Sequence, residues 1–315
     1  MNTLRTLALG AIATASLTAV AVGQDGGASF TVVETGQAFG QLQAAVDAIG
    51  EGDGTIAIAP GTYRLCAVQT QGRIAYLATE PGQVVFDAVT CEGKAALVLR
   101  GRGAEVSGVV FQNMRVADYN GAGIRLEMGD LTVAQSWFRD SQQGILTAGD
   151  PSGMLVVDHS TFTRLGTCEG PGGCAHSIYA GDLGLVRVSN SRFEQGRGGH
   201  YLKARSRQVQ IASNSFDDAG GRATNYMIDL PAGASGQITN NWFVQGQDKE
   251  NYSAFIAVAA ESRDYSSAGL VVAGNTARFA PGVDRNSAFV ADWSGEVQQI
   301  EDNRLGAGLE RYEIR

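Results

Sequence analysis

A six-residue phrase, apolar-x-x-polar-x-apolar, returns along this chain at intervals of 23 to 34 residues. It reads VAQSWF ending at Phe138, VDHSTF at Phe162, VSNSRF at Phe193, IASNSF at Phe216 and ITNNWF at Phe243. An earlier version ends at Phe111, and VAGNTA and IEDNRL end at Ala277 and Leu305. Two positions before each end, from Phe138 onward, stand Ser136, Ser160, Ser191, Asn214, Asn241, Asn275 and Asn303. A second short apolar segment precedes each phrase (GIRLE, GILTA, HSIYA, HYLKA, YMIDL, FIAVA, FVADW), and apolar residues alternate with period two rather than at helical spacing. Short strands repeated at such a period predict a solenoid whose coils stack about 4.8 Å apart with their strands paired in parallel. The Ser/Asn column then forms a ladder, bonding backbone groups that a sharp bend leaves unpaired. With 42 Gly but six Pro, the composition supplies tight turns between extended segments rather than a disordered or collagen-like chain.

The ends follow from the same picture. Residues 1–23 hold a single Arg5, an apolar run from Leu7 to Val22 and the small residues Ala19-Val20-Ala21, which predicts a cleaved export leader rather than a membrane span. A solenoid needs a cap. Phe39, Leu42, Val46 and Ile49 fall on one face of a short helix expected over about 37–49, and coils are expected over about 55–305. Residues 24–315 thus form one domain. Export makes the four cysteines cystines. Three pairings exist; the local one, Cys66 with Cys91 and Cys168 with Cys174, is expected, because the first pair lies about one coil apart. A net charge of −8 argues against a general nucleic-acid binder.

The leader, the QAAVDAI…GDGTIAIAPGTY stretch (Gln43 to Tyr63) and the repeated N-x-F turns resemble the pectin-lyase-like superfamily over about residues 37–305. The resemblance implies an all-β fold, a single-stranded right-handed parallel β-helix with an N-terminal capping helix. It does not choose an activity, because that fold hosts lyases, hydrolases, esterases, epimerases and adhesins.

Aligning the second strands on Ile124, Ile145, Ile178, Leu202 and Ile228 stacks two informative columns. One residue after the anchor they read Arg125, Leu146, Tyr179, Lys203, Asp229; two before it, Ala122, Gln143, His176, His200, Tyr226. A register slip of one residue would turn these groups to the other face. Residues 192–207 add Arg192, Arg197, Arg205 and Arg207 to Lys203, with Glu194 the lone acid, a concentration that suggests a groove for an anionic ligand. A guanidinium beside Lys203 is expected to lower its pKa, and the same field to keep His200 neutral.

These residue types suit β-elimination of a uronate-containing polysaccharide, which needs a neutralised carboxylate, a base for the C5 proton and an acid for the leaving oxygen. Lys203 and His200 are candidate bases, Tyr226 and Tyr179 candidate acids, with His176 beside them. Arg205, Tyr179, Asp229, Arg222 and Arg197 are candidate substrate contacts. The stretch GHYLKARS…IASNSF is similar to the alginate-lyase and chondroitinase-B β-helix family, with Lys203 at that family's catalytic Lys. Where that family has a catalytic Arg one coil later, this chain has Ile228-Asp229, with Arg222 nearby. No metal site and no cofactor are expected, calcium being left open. The expected partner is an anionic polysaccharide, and the protein is expected to be a monomer in the periplasm or medium. Two alternatives compete: a glycoside hydrolase using Asp229 with Asp217, Asp218 or Glu261, and a non-catalytic carbohydrate-binding or envelope protein in which Tyr201, Trp242, Tyr252 and Trp293 are stacking platforms. The plainer reading of His176, His200 and the basic residues is corner residues and a solvated face.

Overall fold

The computed structural model describes residues 27–315; the leader expected at 1–23 lies outside the described residues. Ten successive coils each give one strand to each of three sheets, two of ten strands and one of twelve, with parallel pairing between consecutive coils. The two extra strands of the large sheet, Phe30–Val32 and Gln37–Phe39, run antiparallel at its N-terminal edge. The single described helix is Leu42–Ile49, and it buries Leu42, Ala45 and Val46 against the first coil. It is shorter than the sequence suggests. Gly36, at φ +69°, turns Gln37–Phe39 back onto Phe30–Val32, so those residues satisfy their backbone groups as a strand. At the other end, Leu309–Ile314 adds a strand beyond Leu305. No described helix is long and apolar enough to cross a bilayer.

The repeated phrase forms the core and one corner. Phe86, Phe111, Phe138, Phe162, Phe193, Phe216 and Phe243 stack ring on ring at 4.8–5.6 Å, each essentially fully buried. Each such pair is worth about 0.5–1.5 kcal/mol beyond its buried area. At the corner the chain enters the left-handed region at Gln135, His159, Asn190, Ser213, Asn240 and Asp302, φ 45–59°, and at Gly274. The next residue begins the ladder. The N–H of Asn214 donates to Asn241 Oδ1 at 2.9 Å, that of Asn241 to Asn275 Oδ1 at 2.9 Å and that of Asn275 to Asn303 Oδ1 at 3.0 Å, with the serines repeating the pattern upstream. Each Asn Nδ2 also donates to a backbone carbonyl of the large-sheet strand one coil back, as Asn241 does to Ile211 at 2.9 Å. His159 is a residue of this bend, exposed and 2.6 Å from Asp158, and so stands apart from the other two histidines.

Both expected disulfides are present: Cys66–Cys91 joins adjacent coils with Cα atoms 5.5 Å apart, and Cys168–Cys174 closes the Gly170 to Gly173 loop at 4.0 Å.

Candidate active site

The register of the third sheet decides what shares a face. Ile124, Ile145, Ile178, Leu202, Ile228 and Ile256 pair in one inward column with no slip. Arg125, Leu146, Tyr179, Lys203 and Asp229 therefore stack on the outer face. His176, His200 and Tyr226 form the second column, their rings 5.0 and 5.6 Å apart. The backbone N–H of His200 donates to His176 Nδ1 at 2.9 Å, which fixes the proton of neutral His176 on Nε2. Gly199 permits this approach: at φ +60° a Cβ there would lie 2.6 Å from His176 Nδ1.

Over these columns lies a groove of about 630 Å³, walled by the Cys174 loop, floored by His176, Tyr179, His200, Lys203 and Arg205, and continued to Lys94, Arg125 and Gln143. From the coil of Lys94 to that of Lys203 is four steps, about 19 Å. A chain of polar contacts crosses its floor. Lys203 Nζ lies 3.0 Å from Asp229 Oδ2 and also contacts Glu261, whose second oxygen contacts Arg205. Arg205 Nε donates to Tyr179 Oη at 2.9 Å, and His200 Nε2 lies 3.3 Å from Asp229. Glu261 comes from the loop after Ala254–Val258, folded back so that the N–H groups of Glu261 and Ser262 donate to Pro231 O at 3.0 and 2.9 Å.

Burial and these contacts set the charges. Burial, against the pull of Lys203, raises the Asp229 carboxyl to about 6. Burial and then the Lys203 charge lower His200 to about 3, and burial with the neighbouring His200 and Lys203 holds His176 well below its usual range. Both rings are neutral at pH 7, as expected for His200. Lys203 departs from expectation: burial pulls its pKa down, but Asp229 and Glu261 outweigh that and raise it. The guanidinium of Arg205 does not dominate, because Glu261 already neutralises it. Burial raises Glu261, yet its bonds to Lys203 and Arg205 leave it lowered and ionised.

Several sequence candidates fall elsewhere. Tyr226 stacks on His200, but its hydroxyl accepts from Asn251 Nδ2 at 2.8 Å, away from the groove. Asp229 is 3% exposed beneath Lys203 and is not part of the groove lining. Arg222 is exposed on a turn and Arg197 faces Asp140 at 3.4 Å, both outside the groove lining. The dense basic stretch is dispersed, because coil corners send successive residues to different sheets: Arg192 pairs with Glu194 and Arg207 covers Tyr265, leaving Lys203 and Arg205 on the groove. Asp218 is a buried hub, accepting from Tyr201 and Thr224 and paired with Lys249 at 3.1 Å, and Asp217 bonds the N–H of Ala219. The sequence signal missed Lys94, Asp118, Asn120 and Glu250, which lie between strands and outside the columns. Among the described residues, the cluster with metal-ligand spacing is Cys168, Cys174 and Glu250, and its two sulfurs are joined in the disulfide.

A family model for the right-handed beta helix region matches residues 95–277. Two solved chains are similar. ORF18 of Geobacillus virus E2 has a TM-score of 0.47 at 12% identity, over 86% of this chain and 55% of that one. A tailspike protein, gp49, from Acinetobacter baumannii bacteriophage Fri1, a capsular polysaccharide depolymerase, has a TM-score of 0.37 at 10% identity, over 86% and 54%. This chain thus spans about half the length of either. No curated protein matches it by sequence.

Proposed function

The chain belongs to the right-handed β-helix family, and we propose that it is an exported lyase that cleaves a uronate-containing polysaccharide by β-elimination. One observation carries the reading: Lys203 and Arg205 together hold a single carboxylate, that of Glu261, on the floor of an open groove. Two cations that already grip one carboxylate form a seat for the carboxylate of a sugar. The groove runs along stacked coils and opens to solvent, which suits an extended polymer better than a small metabolite. Two disulfides favour an oxidising compartment, in keeping with a leader over 1–23.

In this reading the substrate carboxylate takes its place between Lys203 and Arg205, and their charges stabilise the enolate-like state that forms when C5 loses its proton. Lys203, held protonated, is the electrostatic partner rather than the base. Glu261, sharing its cations with a second carboxylate, gains proton affinity and takes the C5 proton. The electron pair of that C–H bond forms the new C4–C5 double bond as the C4–O bond breaks. Tyr179 accepts from Arg205, so its own O–H proton is free to go to the leaving oxygen. Asp229 positions Lys203, and neutral His176 offers Nε2–H to the bound sugar.

A hydrolase is the second reading, favoured by one observation. Asp229 and Glu261 both contact Lys203, one raised to about 6 and the other lowered, the acid-and-carboxylate division of a glycosidase. The burial of Asp229 under Lys203 counts against it. The test is a panel of uronate polysaccharides read by ultraviolet absorbance. Unsaturated ends that fall by about 10²–10⁴ in Lys203→Ala and Glu261→Gln support the lyase. New reducing ends without absorbance would select the hydrolase, and neither product a binding protein.

A further inference from the structure

The N-terminal end of the groove carries polar groups that the floor chemistry leaves unused. Arg125 lies in the column of Lys203, three coils away, about 14 Å. Its Nε is buried and has no hydrogen-bond partner among the described residues. The carboxylate beside it, Glu127, stands 3.6 Å from that nitrogen and is already engaged by Lys94 at 2.8 Å and by Arg100. Gln143, one coil on and in the histidine column, lines the same groove, is 1% exposed, and its Oε1 also lacks a partner. A buried guanidinium N–H and a buried amide oxygen left open are costly unless a ligand or water meets them.

Charge points the same way. Here Lys94, Arg100 and Arg125 face Glu92 and Glu127, which leaves one cation in excess. At the other end Lys203 and Arg205 are balanced by Asp229 and Glu261. The remaining acid at this end, Asp118, lies exposed on the rim and accepts the N–H of Asn120.

We propose that Arg125 and Gln143 form a second acidic-sugar subsite, Arg125 taking the carboxylate of a uronate unit and Gln143 a ring hydroxyl. This deepens the lyase reading and rests on it for the class of sugar. Two carboxylate seats three coils apart on one column make the protein read an oligosaccharide with acidic groups at both positions, so that binding strengthens once the oligomer is long enough to span them. The subsite recognises; it takes no part in bond breaking.

The side-chain Nε–H signals of Arg125 and Arg205 report the two seats separately by nuclear magnetic resonance, each assigned by its loss in Arg125→Lys or Arg205→Lys. The wild-type protein is titrated with the methyl glycosides of galacturonate, glucuronate, mannuronate and guluronate, with neutral methyl galactoside, with acetate, and with the corresponding uronate hexamers. The subsite predicts that a uronoside moves the Arg125 signal while methyl galactoside does not, and that acetate moves it far less. It also predicts that a hexamer binds more tightly than its monomer and loses about ten- to a hundredfold in Arg125→Lys. Gln143→Ala should weaken binding read at Arg125 and leave that read at Arg205 unchanged. An Arg125 signal unmoved by every uronoside and hexamer overturns the subsite, as does acetate acting as strongly as the sugars. The lyase reading fails separately: an Arg125 response with no unsaturated product keeps the subsite and removes the lyase, whereas unsaturated product with a silent Arg125 does the reverse.

Discussion

Replacing His200 by glutamine should remove part of the acid sensitivity of this fold. The ring is 8% exposed between His176 and Tyr226, and its pKa falls from an ordinary 6.5 to about 3 on folding. Below the unfolded value the unfolded chain binds a proton that the folded chain refuses. The stabilisation from neutral His200 is therefore complete above pH 6.5 and is lost as pH falls towards 3. Each pH unit over which the two states differ by one proton is worth about 1.4 kcal/mol, so His200 alone costs about 3 kcal/mol between about pH 6.5 and about pH 4. His176 acts in the same direction. Asp229 opposes them: raised to about 6 from 3.8, it keeps its proton in the folded state, so its contribution grows as pH falls through that window. His200→Gln keeps an N–H donor towards Asp229 but cannot titrate, so its stability should fall less steeply with pH across that range. Urea denaturation at a series of pH values measures this, and the gap between the two proteins should close or reverse by about 3 kcal/mol from pH 7 to pH 4. Parallel profiles would show that His200 is not held neutral by burial, and the account of the floor would fall with it.

Three further outcomes follow from the geometry. Lys249 lies between the strands Trp242–Gln245 and Ala254–Val258, outside the columns, yet its side chain is 0% exposed and paired with Asp218. Lys249→Ala should cost about 3–5 kcal/mol by leaving that buried carboxylate without its counter-charge, measured by denaturant melting. Asn241→Ala strips the ladder bonds to Asn214, Ile211 and Asn275, and a loss of about 2–4 kcal/mol is expected, with a shift under about 1 kcal/mol refuting the ladder as a stabilising device. Opening Cys66–Cys91 should cost about 3.5 kcal/mol and opening Cys168–Cys174 about 2 kcal/mol, because the closed loops span 25 and 6 residues. The second loss should also speed proteolysis at Gly170 to Gly173 on the groove wall, and unchanged cleavage would show that the disulfide does not hold that wall.

Whatever depends on neighbours one period away is legible in the bare chain. In a solenoid each residue's lateral partner lies one coil along the chain, so the spacing of Phe138, Phe162, Phe193, Phe216 and Phe243 already contains the stacked core, and that of Asn214, Asn241 and Asn275 the ladder. The same regularity made the strand register legible, and with it the meeting of His176, His200, Tyr179, Lys203 and Asp229. Tertiary structure decided what breaks the period. Glu261 reaches Lys203 across 58 residues from a loop outside the repeat, and that contact, with the ion pair to Asp229, keeps Lys203 charged where a neighbouring arginine alone suggested the opposite. Tyr226 shares the histidine column but turns its hydroxyl to Asn251, a partner supplied by an insertion. The cap helix begins only at Leu42, because a turn at Gly36 gives the preceding residues a strand edge to pair with. Periodicity fixes which side chains are adjacent, but their charge depends on solvent exclusion and on non-repeating loops, and both exist only once the coils have stacked.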